Sequence, residues 1–456
     1  MKLSNTSATS SRIIKALSVF GSVHVLSTLA SIVRVKLIAL MIGPVGVGIY
    51  SLFWQTIELL RNIGGMNAHT PAVREIVALQ DDKEAMALRI RHIRRLAAWL
   101  GAATMLVAML FSPLLSRIMF GHTGYTLWFM ALSPMIGLTV FSTMNSSIMQ
   151  AQNRLRALAL SSLWASIVSA AMAVLMIWLW GLRGVVPALL SVGIVQYLFS
   201  CWFSERKMSF SHRWSMLRLT FAENRKLLSV GGYLTVSMAF TMLCSYVFMI
   251  LLNRYYDTET VGYYQAGYTI LNSYAGIFFV AMSVEYYPRL SRWVNSTLRI
   301  SAVVNHEIVL ILRILIPLMV VFVLLAWLVV RILYSAEFEP VVPFLVYAAP
   351  GLVFKAVSVS LAYIILARGD GKTYIRTEIS SSLIGLALFA VGFMKFGFIG
   401  LGIAYTLWYA AYTAITYYVY AVRYRCTLRS RVWILLAVGI VSVSLAVAIQ
   451  QAVTFR

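Results

Sequence analysis

Apolar runs long enough to cross a bilayer recur along nearly the whole chain, separated by short polar turns. A hydrocarbon core roughly 30 Å thick requires about 20 consecutive apolar residues in a helix. No water reaches the backbone there, so such runs are helices with all their hydrogen bonds internal. The first six segments of this kind lie at about 17–40, 45–67, 96–119, 125–149, 158–180 and 184–203. Seven more follow at about 228–252, 260–287, 307–333, 341–366, 375–395, 398–420 and 432–451. The chain therefore reads as an all-α polytopic membrane protein. Its composition agrees, with 61% hydrophobic and 12% charged residues and a mean hydropathy of +0.83. The polar intervals are too short for a soluble domain. The opening stretch, residues 1–33, has a basic start and an apolar run like a signal peptide, but the run continues past Ala30, so no cleavage is expected.

The net charge of +23 comes from 38 Lys and Arg against 15 Asp and Glu. In a soluble chain it would suggest nucleic acid. With the N-terminus placed in the cytoplasm, 27 of these cations fall in cytoplasmic segments, six outside and five within spans. That asymmetry is the positive-inside pattern and explains the charge without nucleic acid. Cys201, Cys244 and Cys426 have no disulfide or metal-site spacing.

The chain also repeats itself. Val47-Gly48-Ile49-Tyr50 returns as Val261-Gly262-Tyr263-Tyr264, and Arg117-Ile118-Met119-Phe120 as Arg331-Ile332-Leu333-Tyr334. Pro134 returns as Pro350, and the pair Gly181 and Gly184 as Gly397 and Gly400. The displacement is about 214–216 throughout, which predicts two six-helix lobes in residues 1–204 and 228–421. A basic cytoplasmic linker, 205–227, would join them, and 422–456 would add one C-terminal span. Six spans per lobe give both lobes one orientation. Parallel repeats of this kind form transporters in which a path between the lobes is opened to alternate sides.

Polar residues inside the spans are the candidate binding groups. The first span carries Gly21, His24, Ser27, Ser31 and Arg34 at steps of three and four, all on one face. Lys36 lies about 200° around from Arg34 and is read as reaching the interface. The second span places Ser51, Gln55, Glu58 and Asn62 on one face, with Arg61 spaced to pair with Glu58. The eighth aligns Gln265, Thr269, Asn272 and Gly276. Its tyrosines read as an interface belt or as sugar platforms. Lys355 sits near the middle of the tenth span, where an ammonium costs roughly 2.5–3.5 kcal/mol. Each of these has a structural reading as well: an ion pair for Arg34 and Arg61, a packed hydrogen-bonding residue for His24. Glu285 and Glu307 are placed to pair with Arg289 or Arg313. If Arg34, Arg61 and Lys355 face a cavity, they suit an anionic substrate, with phosphate the natural partner.

Three stretches carry a family resemblance. Ile38-Ala39-Leu40 followed by Gly43-Pro44-Val45-Gly46-Val47-Gly48-Ile49-Tyr50 resembles the first turn region of Wzx-type polysaccharide flippases. Glu285-Tyr286-Tyr287-Pro288-Arg289-Leu290-Ser291-Arg292, and the stretch from Leu333-Tyr334 through Phe338 and Lys355 to Ala367-Arg368-Gly369, resemble their later spans. Lys355 stands where the enterobacterial-common-antigen type has a similar lysine, and Arg34 and Arg61 stand where related lipid II flippases carry arginines. The resemblance implies membership of the multidrug/oligosaccharidyl-lipid/polysaccharide exporter superfamily, with a V-shaped pair of lobes. It implies transport of undecaprenyl-pyrophosphate-linked oligosaccharide, such as an O-antigen unit, across the bacterial inner membrane. Membrane lipids, a polysaccharide polymerase and chain-length machinery are the partners it implies. No cofactor is expected, and the coupling ion, Na⁺ or H⁺, is left open. Thirteen spans depart from the usual twelve or fourteen. One rival is a multidrug cation antiporter, which would need buried acids. The other is a membrane glycan polymerase or ligase, which would need catalytic groups on a large outer loop.

Overall fold

The computed structural model describes residues 4–204, 221–281, 286–294 and 296–454, all of them helical or in short turns. Most of the proposed linker, 205–220, lies outside the described residues. The chain divides into two compact units, Met1–Met242 and Leu243–Arg456.

The first unit contains α1 (Ser4–Gly64), α2 (His69–Val77), α3 (Lys83–Leu110), α4 (Ser112–Phe120), α5 (Thr126–Ala151), α6 (Leu155–Trp180), α7 (Val185–Ser204) and the start of α8 (Phe221–Tyr255). Helix α1 is two spans divided at Gly43, whose backbone (φ 60, ψ −170) leaves the helical region. Pro44 then opens the second arm, where its missing N–H costs nothing. Helix α6 packs against α1 and α7, and α5 against α3 and α7. One end of the unit is closed by apolar side chains of α2, α3, α5 and α8, among them Ile76, Ile93, Ile148 and Leu227. The same end holds paired cations. Arg154 donates to the carbonyls of Phe203 (2.8 Å) and Ser204 (3.2 Å), and Arg94 to the Ser204 hydroxyl (2.7 Å). Arg154 thus holds the last described carbonyls of α7, and Arg94 its last described hydroxyl. Arg89 bridges Glu75 on α2 and Asn224 on α8. Cations that the sequence assigns only to topology thus also fasten helix ends.

The second unit contains the end of α8, then α9 (Thr258–Ala281), α10 (Tyr287–Arg292), α11 (Thr297–Leu324), α12 (Ala326–Leu333), α13 (Val342–Ala367), α14 (Gly371–Tyr418) and α15 (Ser430–Thr454). Helix α13 is the most enclosed and packs chiefly on α14 and α11. The added helix α15 lies on α11 and α13, and its leading loop is held by Asn305, which donates to Thr427 O (2.9 Å) and accepts from Arg429 N (2.7 Å). The turn between α13 and α14 is clasped by Asp370. Its carboxylate accepts from Thr373 Oγ1 (2.8 Å) and Tyr424 OH (3.2 Å) and pairs with Arg423 at 2.8 Å. The Arg368 guanidinium covers the Tyr424 ring at 4.3 Å. Burial, which raises its pKa, is outweighed at Asp370 by these hydrogen bonds and the Arg423 charge, so the carboxyl sits below its ordinary value.

Nine helices among the described residues are long and apolar enough to cross a membrane. Three of them, of 36, 50 and 53 residues, are each interrupted once, at Gly43, Gly181 and Gly397. Each of the three is therefore two spans. With α9, whose amides and tyrosines make it less apolar, thirteen spans result, as the sequence predicts. The protein is a multi-pass membrane protein.

The internal repeat is sharper in backbone than in sequence. Helices α3 and α11 are both 28 residues and begin 214 positions apart. Their preceding residues, Asp82 (φ −112, ψ 98) and Ser296 (φ −118, ψ 102), are alike. Both helices break at the same place, Phe111 and Leu325. Helices α5 and α13 are both 26 residues and begin 216 positions apart, each with an internal proline, Pro134 and Pro350. At the same displacement, Asn153 (φ 55) and Gly369 (φ 68) take the left-handed conformation that ends a helix.

Candidate functional site

Arg34 lies nine residues before the Gly43 break, about 13 Å along the helix axis from it. Around it the first unit encloses a cavity of about 560 Å³ whose lining includes nine serines: Ser27, Ser31, Ser142, Ser146, Ser161, Ser162, Ser166, Ser169 and Ser200. Trp54 and Gln196 complete its polar and aromatic wall. Three members of the stripe predicted on the first span, Ser27, Ser31 and Arg34, line it together. The side chain of His24 lies outside the described residues.

Most of these serines spend their hydrogen on a carbonyl. Ser31 donates to Ser27 O (3.0 Å), Ser146 to Ser142 O (3.1 Å), Ser200 to Tyr197 O (2.8 Å), Ser166 to Ser27 O (3.1 Å) and Ser142 to Gln196 O (3.2 Å). A hydroxyl whose hydrogen is spent on a carbonyl, of its own helix or a neighbour's, is satisfied within a span and keeps lone pairs able to accept. The wall is thus rich in acceptors. Arg34 supplies the charge, and its Nε is buried with no hydrogen-bond partner. The serines of α5, α6 and α7 are absent from the sequence reading, although Ser162, Ser166 and Ser169 recur at helical spacing. A hydroxyl that can bond to its own helix gives no sign of facing a cavity.

The second predicted stripe is arranged differently. Arg61 and Glu58 pair at 2.6 Å, and Asn62 donates to Glu58 O at 2.8 Å. Glu58 and Arg61 therefore neutralise one another, the structural alternative foreseen from their spacing. His69, just beyond the helix, is held below its usual pKa by burial and by the Arg61 charge. Gln55 and Ser51 do not line the serine cavity, where Trp54 of the same helix does.

In the second unit Lys355 on α13 is buried. Its ammonium donates to Asn272 Oδ1 (3.1 Å) and to Tyr405 OH (3.5 Å) and lies 5.1 Å from the Tyr409 ring centre. Two residues singled out on separate spans, Lys355 and Asn272, thus meet. Next to them Gln265 donates to Thr269 Oγ1 at 3.2 Å, while Gln265 Oε1 is buried without a partner. Tyr264 is neither belt nor platform: it is 2% exposed and packs on Phe248, Phe344 and Phe389. Glu378 on α14, missing from the sequence reading, accepts from Tyr412 OH. Of the pairings left open for Glu285 and Glu307, Arg289 with Glu307 forms, and Glu285 lies outside the described residues. No group of three or more His, Cys, Asp or Glu able to hold a metal occurs among the described residues.

Set beside solved structures, the chain is similar over nearly its full length to membrane transporters. A lipid II flippase, MurJ, in an inward closed conformation aligns with a TM-score of 0.70 at 16% identity, covering 96% of this chain and 98% of the other. An inward-facing multidrug resistance MATE transporter aligns with a TM-score of 0.71 at 15% identity, covering 88% and 94%. A MOP superfamily transporter from Pyrococcus furiosus aligns with a TM-score of 0.61 at 16% identity, covering 96% and 94%. The fold is that of the MOP transporters. No curated protein matches the sequence. The model of the polysaccharide biosynthesis protein family matches residues 13–294, and the chain belongs to that family.

Proposed function

We propose that this protein is a flippase that carries an undecaprenyl-pyrophosphate-linked oligosaccharide, an O-antigen or related surface-polysaccharide unit, from the cytoplasmic to the periplasmic leaflet of a bacterial inner membrane. The observation that carries this reading is a hydroxyl-lined cavity inside the span region with Arg34 on its wall and Nε unpartnered. Serine oxygens accept hydrogen bonds from sugar hydroxyls, and a guanidinium grips a phosphate through two N–H groups. The N-terminus is cytoplasmic on the positive-inside rule. The lobes would alternate in opening to either side, so no catalytic residue is required. A polymerase would receive the product.

Multidrug cation antiport, the rival reading, would need acids free to bind an ion or a cationic drug. Glu58 is engaged by Arg61 and Glu378 by Tyr412, which favours the flippase reading.

The test is to delete the gene in its host and locate the lipid-linked oligosaccharide with a probe restricted to the periplasm. Accumulation on the cytoplasmic leaflet with loss of surface polysaccharide is expected. An unchanged leaflet distribution, in a host with no second flippase, would overturn the reading.

A further inference from the structure

A second cavity, of about 580 Å³, begins where the serine cavity ends. It is a groove between α1 and α6, and Arg34 lines both. Every other lining side chain is aliphatic or aromatic, including Val33, Leu37, Ile167, Ala171 and Trp178. Along α6 the two follow in order, the serine cavity from Leu158 to Ser169 and the groove from Ile167 to Trp178. The groove therefore extends about 16 Å along the helix, over half of a hydrocarbon core.

We infer that this groove holds the polyprenyl chain of the lipid-linked substrate while Arg34 holds its pyrophosphate; the inference rests on the flippase reading above. Three chemistries occur in line: an acceptor-rich polar wall, one cation and an apolar trough. A polyprenyl-linked sugar presents the matching sequence of hydroxyls, phosphate and hydrocarbon. With the N-terminus cytoplasmic, α6 runs outward from Leu155 to Trp180, so sugars lie toward the cytoplasm and the chain points outward. That is the polarity of a lipid in the cytoplasmic leaflet whose head has been drawn inward. Depth selects this occupant over a bulk phospholipid. On the first span, 17–40, Arg34 lies about 25 Å along the helix from the cytoplasmic end, out of reach of the phosphate of a cytoplasmic-leaflet phospholipid that stays at the interface. A head in transit must reach that depth.

The test uses the full-length protein in nanodiscs and native mass spectrometry, with sugar-free undecaprenyl pyrophosphate and dioleoyl phosphatidylglycerol as probes. Val33→Trp fills the groove from its rim, where Val33 is 57% exposed and a larger side chain need not disturb packing. Ala171→Phe fills it from the α6 side, where Ala171 is also exposed, and Leu182→Trp, outside the groove, is the control. Both groove variants should lower undecaprenyl pyrophosphate retention roughly tenfold and leave phosphatidylglycerol unchanged, a loss of about one isoprenoid contact region. The control should retain both as the parent does. Equal loss of phosphatidylglycerol would make the groove an ordinary lipid slot and overturn the inference. Full retention by both groove variants alongside loss in Arg34→Gln would place the chain elsewhere, overturning the groove while the anion reading stands. If the parent protein itself retains undecaprenyl pyrophosphate no better than phosphatidylglycerol, the flippase reading falls with it.

Discussion

Lys355 and Asn272, on helices 83 residues apart in sequence, meet through a 3.1 Å hydrogen bond inside the second unit. An ammonium at midspan is expensive, roughly 2.5–3.5 kcal/mol, a cost that an uncharged side chain of the same size does not incur. Lys355→Met fills a similar volume without charge. It should melt at the same or a higher temperature than the parent, yet lower oligosaccharide transport about tenfold or more. Thermal unfolding in detergent and a leaflet assay in vesicles separate the two effects. A Met variant that transports normally would assign Lys355 to packing alone.

The Glu58–Arg61 pair gives a second prediction. Glu58→Gln keeps an acceptor for Arg61 and removes the titratable acid. Stability should change by less than about 1 kcal/mol, since the pair is partly exposed, and transport should persist. If transport in Glu58→Gln collapses while the protein remains folded, the carboxylate serves coupling and antiport becomes the better reading.

The Asp370 clasp predicts a pH dependence. A carboxyl whose folded pKa lies below its unfolded value, near 3.9, contributes stability that is fully present above that value. The contribution is lost as pH falls through the lower folded value. Asp370→Asn should be less stable by about 1–2 kcal/mol at neutral pH, and the gap to the parent should narrow in acid. Melting curves from pH 7 downward would show it; a constant gap would remove Asp370 as its cause.

Gly181 and Gly397 take almost the same backbone, φ 56 with ψ −132 and φ 56 with ψ −136. A Cβ at either would meet nothing within 4 Å, so the cost of Gly→Ala is purely conformational. Each substitution should destabilise by about 1–3 kcal/mol, and by similar amounts. Unequal losses would mean the two joints bear different loads.

Periodicity made much of this legible. Apolar length gave the spans, and steps of three and four placed Ser27, Ser31 and Arg34 on one wall. The i, i+3 spacing of Glu58 and Arg61 foretold their pair. Contacts between distant segments left no such trace: nothing in one segment names Asn272 as the partner of Lys355. The serines of α5 to α7 were hidden because a hydroxyl in a span looks the same whether it faces a neighbour or a void. The tyrosines of α9 read as belt or platform because sequence does not show which way a ring faces, and Tyr264 faces the core.

The displacement between the two halves grows from 214 to 216, and that change falls between α4 and α5 in one half and between α12 and α13 in the other. Within the paired helices α3 and α11, and α5 and α13, no residue has been gained or lost. One added residue in a helix turns everything beyond it by about 100°, moving a lining serine to lipid and a leucine into the cavity. A turn absorbs the same residue without rotating anything. Insertions in this architecture are therefore confined to turns, and the bend after α4 is the place to introduce a reporter tag without shifting the register of either half.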